Sequence, residues 1–290
     1  MTTRHDRAYL LLPALLVMLL VVGVPILRVV ELSVTQTRLE EGVVFEWGGL
    51  RNYARVWQDS RFWTSLRNTL VFTSASVLAE MVLGVGIALV LDRRFRGRSL
   101  LRAAVLVPWA LPTAVIALAW AWVFNDAFGV ANDLLRRVGL LEQPVAWLGD
   151  PVLAMGALVV ADVWKTTPFV ALIVLAGLQA VPSDLVDAAR VDGLNAAQRF
   201  RYVVLPLLIP SLLVAALFRA VQAYGAFDLV YVMTGGGPGG ATETVSLYAY
   251  QNYFRYLDFS YGSTVAVMAV ALATTGSVLV LRLARHGADR

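Results

Sequence analysis

Stretches with few ionisable residues alternate along the chain with short segments that carry arginine. Helix rises 1.5 Å per residue, so about 20 apolar residues cross a bilayer core. Six stretches meet that length: Tyr9–Val30, Asn68–Leu91, Ala103–Phe124, Val152–Val181, Leu205–Met233 and Gly262–Leu283. None shows the period-two alternation of a membrane barrel strand. The pattern predicts an all-α integral membrane protein with six transmembrane helices, forming a single domain over residues 1–290. The first stretch is longer than a signal-peptide core and lacks a small-x-small cleavage site, so it reads as a retained anchor.

The segments between the spans are modest. Residues 31–67 have room for a short amphipathic helix ending at Phe62-Trp63, and residues 125–150 for a helix over Ala131–Val138. The run from Thr234 to Gly240 reads as a loop, because glycine and proline end helices. No internal repeat, low-complexity tail or soluble catalytic domain is evident.

Composition sharpens this reading. The chain of 290 residues is 59% hydrophobic and 15% charged, against about 25% charged in soluble domains. There is no cysteine, and the two histidines, His5 and His286, lie in the terminal tails. Thiolate catalysis, a His-centred triad and a zinc site are therefore not expected: no catalytic residue and no metal ligand is assigned. The net charge of +4 does not point to nucleic acid, because the arginines stand at the ends of apolar runs. Arg4 and Arg7 precede the first span, and Arg93, Arg94, Arg96, Arg98 and Arg102 separate the second from the third. Arg190, Arg199 and Arg201 separate the fourth from the fifth, and Arg282, Arg285 and Arg290 end the chain. Six spans put these segments on one side, and the positive-inside rule makes it cytoplasmic, with both termini there. Arg28, Arg38, Arg51, Arg55 and Arg61 in the first outer loop moderate the bias. Tyr9, Trp109, Trp122 and Phe124 at span ends suit an interfacial aromatic belt.

A phosphate-binding loop needs Gly-x-x-x-x-Gly-Lys-Ser/Thr. The single lysine, Lys165, follows a tryptophan, and the glycine run at 235–240 has no lysine. ATP-driven work would need a partner's nucleotide site. The cytoplasmic loop 182–204 is the most patterned segment. Ser183 is placed to cap a short helix, Asp184 suits its first turn, and Gly193 can take a positive φ and stop it. Asn195 can cap a second helix, and Pro206 marks entry into the fifth span. Read from its residues alone, this loop is equally an ordinary amphipathic connector.

Ionisable residues inside spans cost about 2.5–3.5 kcal/mol each at a helix centre, so each marks a function or a paired structural role. The fourth span carries Asp162, Lys165, Thr166 and Thr167 ahead of Pro168, which is expected to kink or unwind the helix. Asp162 and Lys165 can pair at i,i+3. The fifth span carries Arg219, Gln222 and Asp228, with Asp228 near its outer end reading as structural; Glu80 stands alone in the second span, and a structural hydrogen bond is its expected role. The two clusters can line a polar cavity in which Trp164 and Phe169 offer an aromatic plane and Lys165, Arg219, Thr166 and Gln222 offer hydrogen bonds. The alternative is that Asp162, Lys165 and Arg219 form interhelical ion pairs.

Asp187-Ala188-Ala189-x-x-Asp192-Gly193 with Leu205-Pro206 resembles the EAA loop of binding-protein-dependent ABC importer permeases, with Asp in place of the usual Glu. Gly49-Leu50-Arg51-Asn52-Tyr53, Phe62-Trp63, Asn68-Thr69, Gly97-Arg98, Leu106-Val107-Pro108 with Pro112, and Thr234-Gly235-Gly236-Gly237-Pro238 resemble the sugar-type branch. Within it the chain is similar to maltose-transporter F-type subunits of the trehalose/maltose-like group, without a large extra outer domain. The resemblance implies a type I ABC importer permease-like fold in the bacterial cytoplasmic (inner) membrane. It implies a second permease subunit of similar fold, two ATPase subunits holding ATP and Mg, and an extracytoplasmic solute-binding protein. This chain would be no enzyme and bind no cofactor, and its partners would be sugar and lipid bilayer, not nucleic acid. Asp187, Ala188, Ala189, Asp192 and Gly193 would couple to an ATPase subunit. Asp162, Trp164, Lys165, Thr166, Phe169, Arg219, Gln222, Ala223 and Ala226 would line the sugar site in an alternating-access mechanism. The implied solute is a disaccharide such as trehalose or maltose. A glycerophosphodiester or other small solute, and an ion-coupled secondary transporter, are the alternatives. A membrane-embedded enzyme would need a nucleophile and base, and the spans hold no His or Cys.

Overall fold

The structure, a computed structural model, describes residues 12–39, 43–93 and 95–288. Arg4, His5, Arg7, Tyr9, Arg94 and Arg290 lie outside the described residues, as do the side chains of Arg38, Arg285 and His286. In chain order the elements are α1 (Leu12–Ser33), β1 (Thr35–Leu39), β2 (Val43–Trp47), α2 (Arg51–Gln58) and α3 (Ser60–Asp92). Then come α4 (Arg98–Ala110), α5 (Thr113–Val123), α6 (Val130–Arg137), α7 (Pro151–Gln179) and α8 (Ser183–Val191). The last are α9 (Ala196–Tyr224), α10 (Asp228–Met233), α11 (Val245–Tyr250) and α12 (Phe259–Ala288). Among the described residues, α1, α3, α7, α9 and α12 are each long and apolar enough to cross a membrane. Together α4 and α5 are apolar and long enough for one more crossing, but the pair is bent by 91°, the geometry of a broken span or a re-entrant loop. The bend sits at Leu111-Pro112: Pro112 has no N–H to continue α4, and Leu111 before it is extended, with φ −80° and ψ 144°.

The chain divides into two compact units. One comprises the residues up to Trp63 and Val245–Thr274. In it α1 leaves Leu15, Leu19, Leu20 and Leu27 exposed, the surface a lipid-facing helix needs. The expected short amphipathic helix forms as α2, ending at Gln58 rather than at Phe62-Trp63, and ahead of it lies an antiparallel hairpin that the apolar pattern does not predict, pairing Thr35 with Trp47 and Thr37 with Phe45. Thr35, Thr37, Val43, Val44, Phe45 and Trp47 are β-branched or aromatic, which suits a pleated ribbon. The Asp59 carboxylate ties the unit together: it accepts from the hydroxyls of Tyr248 (2.5 Å) and Tyr261 and from the backbone N–H groups of Arg61 (2.9 Å) and Phe62.

Burial by itself would raise the pKa of Asp59, but these four hydrogen bonds outweigh it and hold the carboxyl below its ordinary value. Burial, and then the bond to Asp59, push Tyr248 up to about 12. A folded-state pKa below the unfolded one stabilises the protein above the unfolded value, about 3.9, and that stability is lost as pH falls through the lower, folded value. Asp59→Asn is therefore expected to lower the melting temperature at neutral pH and to flatten its fall below about pH 4, read by thermal denaturation across pH.

The second unit comprises Thr64–Thr244 and the residues from Thr275 on. Its centre is α7, against which α9 and α4 pack, while α10 packs on α5. Asp150 caps α7 by accepting from the N–H groups of Val152 (2.8 Å) and Leu153 (2.9 Å), with Pro151 preorganised at the first turn. Ala88, Leu91, Val170, Val174, Leu175, Leu208 and Ala215 form a core between α3, α7 and α9. Helix backbones approach closely at glycine. A Cβ on Gly84 would fall 2.6 Å from Val170 Cγ1, and one on Gly177 2.5 Å from Ser211 Oγ.

Three expectations need correction here. The helix α7 is not unwound at Pro168 but continues to Gln179. The fifth span begins earlier and ends sooner than expected: α9 starts at Ala196 under an Asn195–Gln198 capping box, passes a π-helical turn at Phe200–Val204 and Pro206, and stops at Tyr224 before Gly225. The residues after it form the separate helix α10. Of the proposed interfacial aromatics, Phe124 is buried between Trp120 (5.5 Å) and Trp147 (5.8 Å), while Trp109 and Trp122 are exposed, Trp109 also lining a cavity.

Candidate functional site

The break between α9 and α10 opens a cavity of about 460 Å³, within the roughly 300–1,000 Å³ usual for small-molecule sites. Trp109 and Thr113 line it from the bent span, Asp162, Lys165 and Thr166 from α7, and Arg219 and Gln222 from α9. Gly225, Ala226, Phe227, Asp228 and Leu229 complete it from the break and the start of α10. Six of the nine residues expected to line a solute site are thus together: Asp162, Lys165, Thr166, Arg219, Gln222 and Ala226.

Three lie elsewhere. Trp164 is half-exposed and meets Trp120 edge-on at 5.8 Å. Phe169 stacks behind the cavity between Trp109 (6.0 Å) and Phe218 (5.0 Å). Ala223 is buried in helix packing. Helical phase accounts for Trp164, which points away from the face shared by Asp162, Lys165 and Thr166; Phe169 is on that face, one turn further along, where Trp109 stacks on it. The aromatic plane that does face the cavity is Trp109, with Phe227. Its only sequence signal was its neighbourhood to Pro108 and Pro112, which bend the span and turn it inward.

Beneath the cavity lies a buried charge cluster. Arg219 Nε and Nη2 donate to Glu80 at 2.5 and 2.9 Å, Nη2 also to Asp162 Oδ2 at 3.0 Å, and Nη1 to Gln222 Oε1 at 2.8 Å. Glu80 is fully buried and Arg219 nearly so. The Thr166 hydroxyl lies 2.7 Å from Glu80 Oε1 and 2.6 Å from the Asp162 carbonyl. It has one hydrogen, so it serves one acceptor at a time. The cluster joins α3, α7 and α9. Glu80 therefore has a charged partner rather than a lone structural hydrogen bond, and that partner is 139 residues away in sequence.

Lys165 is different. Among the described residues it has no hydrogen bond or ion pair, and the expected Asp162–Lys165 pair does not form, because Asp162 turns to Arg219. Its ammonium is the cavity's uncommitted cation. Asp228 contributes a carboxylate at the first turn of α10.

The second candidate feature is α8. It is exposed apart from the buried Ala189 and the half-buried Val186, and Asp187 pairs with Arg190 at 2.9 Å. Pro182, not Ser183, is its N-cap; the Ser183 hydroxyl contacts Asp184 instead. Gly193 takes φ +81°, its N–H bonding to Arg190 O and that of Leu194 to Ala189 O. That is a Schellman stop. Val191 is 89% exposed, so the knob ends in an apolar tip.

Membrane-length apolar helices, a polar cavity lined from α4, α5, α7, α9 and α10, and a short exposed helix after α7 are features of a transport permease. The chain belongs to the family of binding-protein-dependent transport system inner membrane components, whose model matches residues 80–289. It is a multi-pass inner-membrane protein of that family, which sets aside the ion-coupled alternative. The chain is 42% identical to the trehalose/maltose transport system permease protein MalF of Thermococcus litoralis, covering 97% of this chain and 94% of that protein. It is 39% identical to the sulfoquinovosyl glycerol transport system permease protein SmoG of Agrobacterium fabrum (95% and 89% covered). It is 36% identical to the trehalose transport system permease protein SugA of Mycobacterium tuberculosis H37Rv (98% and 90%). The fold also matches a bacterial ABC transporter involved in import of the acidic polysaccharide alginate, with a TM-score of 0.82 at 19% identity over 97% of this chain and 96% of that one.

Proposed function

We propose that the chain is the sugar-translocating permease subunit of an ATP-driven importer, and that its solute is a disaccharide such as trehalose or maltose. The observation that carries the reading is the 42% identity, over nearly the full length of both chains, to a permease named for trehalose and maltose. ATP and Mg are held by two partner ATPase subunits; a second permease of similar fold and an extracytoplasmic solute-binding protein complete the machine. A solved transporter of the same fold carries a periplasmic protein bound to alginate pentasaccharide, which supports that last partner. Loop 182–204 and both termini face the cytoplasm, as the arginine distribution favours. Asp187, Ala188, Ala189, Asp192 and Gly193 form the surface that an ATPase subunit moves.

In this reading the cavity holds the sugar when the spans open inward or outward. Lys165 donates to sugar hydroxyls, Gln222 and Thr166 add polar contacts, and Trp109 offers the stacking plane. Arg219 and Glu80 hold the wall in place. Lys165→Met is expected to reduce ATP-dependent disaccharide uptake at least tenfold while leaving the melting temperature within about 2 °C, since an unpaired side chain at a wet cavity contributes little to folding. Uptake into proteoliposomes containing the whole transporter measures it; normal uptake would remove the cavity from the solute path. Lys165 also favours a second reading, an anionic solute such as a glycerophosphodiester. In that case Lys165→Met would abolish uptake of the anion and spare neutral disaccharide.

A further inference from the structure

The turn between α3 and α4 carries charges that the transport reading does not use. Arg93, Arg96 and Arg98 fall within six residues, and Phe95 and Leu100 beside them are exposed apolar side chains. Four other exposed arginines find carboxylate partners: Arg28 pairs with Glu31, Arg55 with Asp258, Arg137 with Asp133 and Arg190 with Asp187. Among the described residues Arg93, Arg96 and Arg98 have no such partner, and their neighbour Asp92 makes no ion pair with them. Arg102 is committed to the turn itself, donating through Nη2 to the Leu91 carbonyl at 3.1 Å and tying α4 to the end of α3.

The depth of the turn follows from the helix before it. The apolar part of α3 runs from Leu70 to Leu91, a length of about 33 Å at 1.5 Å per residue. That matches a hydrocarbon core of about 30 Å. Arg93 and the residues from Phe95 to Arg98 therefore stand at headgroup level. Arginine stems can lie along lipid chains while the guanidinium reaches phosphate, and Phe95 and Leu100 can enter the acyl boundary beside them.

We propose that this turn, through Arg93, Arg96 and Arg98, is a binding site for the headgroups of anionic phospholipids. The chemistry is bidentate guanidinium–phosphate pairing at a membrane boundary. The inference rests on the six-span reading of the chain but not on which solute it moves, so a wrong solute leaves it standing.

The test is lipid selectivity of the assembled transporter reconstituted in phosphatidylcholine, read from the immobilised fraction of spin-labelled phosphatidylglycerol against spin-labelled phosphatidylcholine. One arginine near an anionic surface is worth about fivefold in partition, so the wild type is expected to prefer phosphatidylglycerol by at least that factor at low salt. Raising the salt should weaken the preference. The triple variant R93Q/R96Q/R98Q should approach parity, and Arg136→Gln, on the exposed face of α6, should keep the preference. A wild type without preference, or a triple variant that keeps it, overturns the proposal. So does loss of the preference on adding millimolar inorganic phosphate at constant ionic strength, which would mark a site for the free ion. Detachment of the ATPase subunits from the triple variant with the lipid preference intact would mark a protein-docking surface instead. Should the triple variant fail to fold, the salt series and the phosphate competition on the wild type still decide.

Discussion

Arg219→Met is expected to destabilise the permease by about 3–5 kcal/mol and to abolish transport. Removing one partner of a buried ion cluster strands the others. Glu80 is fully buried, and with Arg219 gone it keeps only the Thr166 hydroxyl, which it shares with the Asp162 carbonyl. Asp162 loses its single ion-pair partner in the cluster. The loss is therefore one of uncompensated charge within the membrane, larger than that of hydrogen bonds alone. It follows that R219M/E80Q/D162N, which removes the stranded charges, recovers most of the stability but not the transport. Denaturation of the purified subunit in detergent separates the two: a triple variant no more stable than Arg219→Met would show that the cluster contributes through something other than charge balance.

Gly193→Val is expected to uncouple the transporter. At φ +81° a β-branched residue is strained, and the Schellman hydrogen bonds that end α8 depend on that conformation. A helix of nine residues, exposed on most of its surface, has little else to hold its shape. Stimulation of ATP hydrolysis by the sugar-loaded binding protein should fall about tenfold, the scale of a coupling energy of 1–3 kcal/mol. Gly193→Asn, which tolerates the left-handed region, should keep most of the stimulation. The pair is measured as ATPase rate in the whole transporter. Equal stimulation in both variants would mean the shape of α8 does not matter to coupling.

Much of this architecture is legible in the sequence because a bilayer imposes a length on apolar runs. The long apolar helices, the helix near residues 130–138, the stop at Gly193 and the cap at Asn195 all follow from local rules of length, composition and capping. What local rules miss has a common cause. The break after Tyr224 depends on three residues, Gly225-Ala226-Phe227, too mild in hydropathy to interrupt an apolar window. The hairpin at 35–47 goes unread because its strands are five residues each and pair with one another rather than with a longer sheet. Glu80 looked solitary because Arg219 and Asp162 reach it from two other helices. Trp164 and Phe169 were placed at the cavity by their aromatic chemistry, whereas helical phase turns Trp164 away and Trp109, from the bent helix pair, stacks on Phe169 and lines the cavity in its place.

The central claim is that the cavity framed by Trp109, Lys165, Gln222 and Asp228 is the passage through which a partner's ATP hydrolysis moves a sugar. The most direct measurement is uptake of radiolabelled trehalose and maltose into proteoliposomes that hold the assembled transporter and its binding protein. Wild-type uptake should require ATP and disappear in Gln222→Leu and Lys165→Met combined, while basal ATP hydrolysis continues. Undiminished uptake in that double variant, or uptake that proceeds without ATP, would contradict it.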